Sequence, residues 1–214
     1  MRADPSVADK RGSTALHYAA YNGHCETVTA LINAGVAVNG VNKFGYSALH
    51  YACADGQAEA VDHLVSLGAD VNLKDKMGWV ALHRAAGAGF SHTIRNLVKN
   101  GAVVQGVGGD RSYSPLHEAV WHRQAGAVRE LVSLGAQPDQ EDEWSTSPSD
   151  LARSQLLNGE PEMLTLLRGL ASQHNASTPE QEQPPPLPGP GVSPPEDSLQ
   201  DVDAGVAGLQ DPRT

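Results

Sequence analysis

Nine histidines give this chain its widest chemical reach, since imidazole ligates metals and moves protons near neutral pH. Four of them, His17, His50, His83 and His117, recur at separations of 33, 33 and 34 residues. A metal or acid–base centre needs several such side chains converging on one point. Even spacing instead deals them out one per unit, so they read as structural. No Cys-x-x-Cys pair is present, His24 and Cys25 are only sequence neighbours, and no Ser/His/Asp or Cys/His set recurs. The loop Gly106-Val107-Gly108-Gly109 is glycine-rich, but no G-K-[ST] follows and no strand–helix unit surrounds it. It reads as a flexible, enlarged hairpin tip rather than a phosphate cradle. No catalytic group, metal site or cofactor is therefore expected, and the chain is not expected to be an enzyme.

The histidines belong to a longer phrase. T-A-L-H-Y-A-A from Thr14 returns as S-A-L-H-Y-A-C from Ser47, V-A-L-H-R-A-A from Val80, S-P-L-H-E-A-V from Ser114 and weakly as S-P-S-D-L-A-R from Ser147. The starts are 33, 33, 34 and 33 residues apart. A second phrase keeps the same period: A-G-V-A-V-N from Ala34, L-G-A-D-V-N from Leu67, N-G-A-V-V from Asn100 and L-G-A-Q-P-D from Leu134. Two phrases locked at one period define stacked repeats, each burying its faces against its neighbours.

Within a repeat, Asp9, Asn42 or Asp75 opens a turn and Gly12, Gly45 or Gly78 completes it. Thr14, Ser47 and Ser114 supply helix N-cap hydroxyls, and Pro115 and Pro148 sit where a missing N–H is harmless. Leu16, Leu49, Leu82 and Leu116 with small residues after them predict a short first helix that packs closely. Gly23, Gly56 and Gly89 turn the chain into a second helix of helical apolar spacing, for example Val61, Leu64 and Val65. Gly35, Gly68, Gly101 and Gly135 stop it, and a short hairpin leads onward.

The pattern D-x-x-G-x-[TS]-[AP]-L-H-x-A-A-x-x-G with L-G-A-D-V-N resembles the ankyrin repeat family over about three-quarters of the chain. The resemblance implies an all-α ankyrin-repeat solenoid of helix–turn–helix units joined by β-hairpins or loops. The repeats fall at about 9–41, 42–74, 75–107, 108–141 and 142–170. Repeat four has one extra residue between Gln105 and Asp110, and replaces both turn glycines with Ser112 and Arg123. Repeat five replaces His with Asp150 and places Gly159 late, so it is expected to cap the stack with Met163, Leu164, Leu166 and Leu167. At the other end, residues 1–8 are too short to cap repeat one. Its second helix, expected from His24 to Asn33, carries the polar interruptions Cys25, Thr27 and Thr29 of an end repeat. A chain whose earlier repeats are missing is the alternative.

The resemblance implies non-catalytic binding of other proteins, as an adaptor or scaffold, through a concave groove and finger tips. Carried onto this sequence, the finger positions hold Phe44, Tyr46, Met77, Trp79, Tyr113 and Trp144; the groove positions hold Tyr21, Trp121 and His122. All three tryptophans fall in this set, and Trp and Tyr are the side chains that most often anchor interfaces. The bland alternative is that Tyr46, Trp79 and Tyr113 only pack on adjacent fingers. The other functional readings are a targeting subunit that recruits an enzyme, such as a ubiquitin-ligase receptor, and an inhibitor covering an enzyme or transcription factor. Leu64, Asp70, Val71 and Asn72 are similar to the pattern at which asparaginyl hydroxylase modifies ankyrin repeats, which marks Asn72 as a modification candidate.

Residues 171–214 contain nine of the fourteen prolines and no Phe, Trp or Tyr, a composition expected to remain disordered. Within them Pro184, Pro185, Pro186, Leu187 and Pro188 form a polyproline II segment that looks like a WW-domain ligand, with a solvated linker as the alternative. The net charge is −10 and no Lys/Arg cluster occurs, which disfavours nucleic acid and anionic membrane surfaces as partners. Cys25 and Cys53 are the only cysteines, and no secretory signal or long apolar run occurs. That combination predicts an intracellular protein of the cytoplasm or nucleus with two packed thiols, a single disulfide being the alternative.

Overall fold

The structure is a computed structural model that describes residues 4–109, 112–155 and 162–177. The described residues form helices and turns, joined by isolated bridges rather than strands. In chain order the helices are α1 (Ala15–Tyr21), α2 (Cys25–Asn33), α3 (Ala48–Ala54), α4 (Ala58–Ser66), α5 (Ala81–Ala88), α6 (Ser91–Lys99), α7 (Pro115–Trp121), α8 (Ala125–Ser133), α9 (Pro148–Gln155) and α10 (Glu162–Ser177). All belong to one unit, Met1–Pro179; the second, Glu180–Thr214, lies outside the described residues. The Pro184–Pro188 motif and Gly159 lie outside them too.

Each first helix is short because it is bounded chemically on both sides. Its N-cap residue is extended, and its backbone N–H donates to Nδ1 of the histidine three positions on: Thr14 to His17 (3.1 Å), Ser47 to His50 (3.2 Å), Val80 to His83 (3.3 Å) and Ser114 to His117 (3.1 Å). Its far end meets a residue with positive φ, such as Gly89 at 86°. Leu16, Leu49, Leu82 and Leu116 are buried, and the small residues Ala20, Ala52, Ala85 and Ala119 let α1, α3, α5 and α7 pack in sequence along the stack. The second helices pack as a parallel row through Val28, Val61, Leu64, Ile94, Leu97, Val128 and Leu131.

The predicted hairpins are reduced to single bridges, Ala8–Thr14, Val41–Ser47 and Gly108–Tyr113. The reason is that the opening Asx spends its side chain on the turn: Asn42 Oδ1 accepts from the N–H groups of Phe44 (2.9 Å) and Tyr46 (3.1 Å), and Asp75 Oδ1 does the same for Met77 and Trp79. Successive fingers are instead joined to each other by backbone bonds, Lys43 N to Arg11 O, Lys76 N to Phe44 O and Gly109 N to Met77 O. This close approach explains the glycines. A Cβ on Gly45 would lie 2.5 Å from Lys76 N.

The Gly108-Gly109 pair is also a packing requirement, which corrects the reading of that loop as a flexible tip. A Cβ on Gly108 would lie 2.5 Å from Gly78 O, and one on Gly109 would lie 2.5 Å from Trp79 Nε1. The second helix of repeat one begins at Cys25, with His24 as its N-cap, and Leu31 and Ile32 are half-buried. Thr29, expected as an end-face polar residue, instead meets His63 Nε2 of repeat two at 2.7 Å through its hydroxyl. Both cysteines are free thiols, and burial pushes Cys53 well above the ordinary thiol range.

Helix α10 buries Met163, Leu164 and Leu167 and packs on α8 and α9, as a cap of the stack should. It runs to Ser177, so the boundary expected after Leu170 falls seven residues early. The residues from Ala171 to Ser177 contain no helix breaker; the first is Pro179, which also disfavours helix at the residue before it.

Candidate functional site

The positions that vary within the L-H-x-A phrase lie beside the fingers, and the structure gathers both sets around two cavities. The first, about 180 Å³, is lined by Tyr21, Tyr46, His50, Tyr51, Ala54 and Arg84. The second, about 270 Å³, is lined by Met77, Trp79, Gly108, Gly109, Tyr113, Glu118, Trp121 and His122. Arg84 links them, because it lines the first cavity while its guanidinium carbon stands 5.2 Å from the ring centroid of Trp79 in the second.

In the first cavity the cation is already satisfied. Arg84 Nη2 donates to Asp75 Oδ2 at 2.8 Å and to Tyr46 Oη at 2.7 Å, and Arg84 Cζ lies 4.6 Å from the Tyr46 ring centroid. Phe44 stacks on Tyr46 with centroids 6.0 Å apart, and Tyr21 meets Tyr51 edge-on at 6.3 Å. The walls are therefore aromatic and mutually packed, with the fingers holding the groove residues in place.

In the second cavity the charge is reversed. Glu118 occupies the phrase position that Arg84 holds one repeat earlier, and the residue is only 5% exposed. Its Oε2 stands 3.5 Å from His122 Nε2, beyond ordinary hydrogen-bond length. Burial pushes its carboxyl up to about 7 although Arg84 pulls in the opposite direction. Trp121 and His122 stand at the end of α7, exposed, and Met77 is 54% exposed at its finger tip.

Eight of the nine partner-binding positions read from sequence are thus placed at, or packed on, these two cavities. Trp144 lines neither; it is 63% exposed on the finger of repeat five. Tyr113 is only 8% exposed, its ring stacked on His117 at 5.1 Å, so it is a wall held by the core more than a free anchor. Tyr51, Arg84 and Glu118 escaped the sequence reading. The signal was present: x in L-H-x-A is Tyr18, Tyr51, Arg84 and Glu118, bulky or charged in a phrase otherwise small and apolar.

The four repeated histidines are structural, as expected, and their reach is longer than the N-cap. Nε2 of His17, His50, His83 and His117 meets the carbonyl oxygens of Tyr46, Trp79, Tyr113 and Thr146 in the following repeat, at 2.9–3.2 Å. Nδ1 must accept and Nε2 must donate, which assigns the neutral Nε2–H tautomer to all four. Asn72 is likewise a connector: its Nδ2 donates to Gly101 O at 3.0 Å and its Oδ1 accepts from Val103 N at 3.0 Å. Among the described residues no group of three or more His, Cys, Asp or Glu could hold a metal ion, and no helix is long and apolar enough to cross a membrane.

A family model described as ankyrin repeats (3 copies) matches residues 1–75 and 56–142. No curated protein matches the chain.

Proposed function

Because the chain belongs to the ankyrin-repeat family, whose members are generally protein–protein interaction modules, we propose that it acts as a non-catalytic adaptor or scaffold. The partner would lie along the finger and groove face of repeats one to four. One observation carries this reading: two aromatic-walled cavities adjoin through Arg84, so an extended segment could occupy both without rearrangement of the fingers. Trp121, Met77 and Phe44 project beside them as exposed anchors, of the kind that dominates interface energetics. Exposed large apolar side chains grouped on one face mark interaction sites more often than isolated ones do. The intracellular setting and the WW-type tail motif belong to this same reading and rest on composition alone.

The test is a pull-down from cell lysate with three baits: the full chain, the chain ended after Ser177 so that α10 is intact, and Trp121→Ala with Met77→Ala. Tyr113 is left unchanged because its ring belongs to the core. Partners lost only with the double change support the groove. Partners lost only with the shortened chain place binding in residues 178–214, and retention by all three baits removes the proposal.

A further inference from the structure

A carboxylate held largely away from water is costly unless it is paired or takes up a proton. Glu118 is only 5% exposed and lines the second cavity. Its one ion-pair contact among the described residues is the 3.5 Å approach of His122. Arg84 also acts on Glu118, but it is bound to Asp75 and Tyr46, and its pair with Asp75 is neutral as a unit. Among the described residues no Lys or Arg forms an ion pair with Glu118.

The preceding junction shows what such a place can hold. There a guanidinium lies over Tyr46 and Trp79 with the buried carboxylate of Asp75 as counter-ion. At the junction of repeats three and four the aromatic walls and carboxylate persist, as Trp79, Tyr113, Trp121 and Glu118, but the residue that would bring the cation is itself the acid. We propose that the second cavity receives the side-chain ammonium of a lysine carried by a partner protein, with Glu118 as its counter-ion and the aromatic residues as its walls.

Cation–π attraction from indole faces, joined to a desolvated carboxylate, is the chemistry that selects an ammonium over an apolar group of equal length. The cavity volume of about 270 Å³ suits one side chain and falls below the range of roughly 300–1,000 Å³ usual for small-molecule sites. Gly87 lies against the same pair: a Cβ there would stand 3.2 Å from His122 Cδ2, a tight contact, and 3.5 Å from Glu118 Oε2. Glycine inside a helix such as α5 costs about 1 kcal/mol relative to alanine, so its presence has a reason to be sought. The net charge of −10 also steers cationic partners toward the chain. The proposal rests on the reading that this face binds protein, and adds the chemistry of one contact.

The experiment is NMR on the full chain labelled with ¹⁵N, following the indole N–H signals of Trp79, Trp121 and Trp144. The probes are Nα-acetyl-lysine amide, Nα-acetyl-norleucine amide and a Gly/Ser pentapeptide with central lysine, in buffer alkaline enough to ionise Glu118. Saturable shifts of Trp79 and Trp121 with both lysine probes, Trp144 unmoved and norleucine roughly tenfold weaker, are expected. Glu118→Gln should lower lysine binding by roughly tenfold while the remaining spectrum is unchanged. Gly87→Ala, which alters no charge, should weaken it as well and serves if Glu118→Gln fails to fold.

Equal binding of norleucine would make the cavity an apolar pocket and overturn the proposal, as would undiminished binding in folded Glu118→Gln or Gly87→Ala. Binding of the free amide but not the pentapeptide would overturn a partner's side chain as the source. The two readings fail separately. If pull-down partners are lost with Trp121→Ala and Met77→Ala but no lysine probe shifts either indole, the face still binds protein and only the cation assignment falls.

Discussion

At the scale of single residues, the departures from the repeat are where stability can be altered. Ser112, Arg123 and Ser145 hold φ of 55°, 56° and 55°, at turn positions that glycine fills in the earlier repeats. A left-handed backbone costs a residue with a Cβ about 1 kcal/mol or more. Ser145→Gly is the cleanest test, because Ser145 is exposed and its N–H bond to Asp142 O is kept by glycine. It should raise unfolding free energy in urea by about 1 kcal/mol with unchanged m-value. Lower stability would mean that Ser145 makes contacts outweighing the backbone strain. Ser112 and Arg123 were visible in the sequence as lost glycines, and Ser145 follows from the same register.

At the scale of the helix, α6 carries an anomaly that its neighbours resolve. Thr93 is fully buried, and its Oγ1 has no hydrogen-bond partner among the described residues. The corresponding positions of α4 and α8 are Ala60 and Ala127, both buried in the same row. An unpaired buried hydroxyl costs about 1–3 kcal/mol, whereas an apolar group of the same shape costs nothing comparable. Thr93→Val should therefore stabilise the chain by about 1 kcal/mol, read from the thermal or urea midpoint. Thr93→Ala should gain less, since it leaves a methyl-sized void. If valine destabilises, the hydroxyl has a partner such as a bound water and the inference about α6 is wrong.

At the scale of the whole molecule, the histidines make the stack a single acid-sensitive object. Each of the four bonds one repeat to the next, and burial holds each below the ordinary imidazole value; His83 is lowered from 6.5 to about 4. The folded state thus binds fewer protons than the unfolded chain below pH of about 6.5, so the contribution present above that value is lost as pH falls toward about 4. For His83 the full shift corresponds to on the order of 3 kcal/mol. Glu118 acts with the opposite sign, its carboxyl being raised from 4.5 to about 7, so acidification relieves it. One carboxyl against four imidazoles leaves a net loss. Urea midpoints measured from neutral pH down to about 4.5 should fall steadily below about pH 6.5. A flat profile would show that the inter-repeat bonds survive protonation.

The repeat architecture, the starts of the first helices and the structural role of the histidines were legible in the sequence, because each rests on chemistry within a few residues. An N-cap, a histidine three positions on and a glycine at a turn are local events, and repetition at one period displays them four times. The finger and groove positions came only through the family resemblance; the structure sets eight of those nine residues at or against the two cavities. What only the tertiary structure decided involves residues distant in the chain. Tyr113 is a wall and not an anchor because His117 takes its ring face. Gly108 and Gly109 are needed because the Trp79 finger presses against them from the preceding repeat. The environment of Glu118 is assembled from residues 77–79, 84, 113 and 121–122 across two junctions. A period identifies what recurs; the odd charge in a recurring frame acquires its meaning only when the neighbours that surround it are in place.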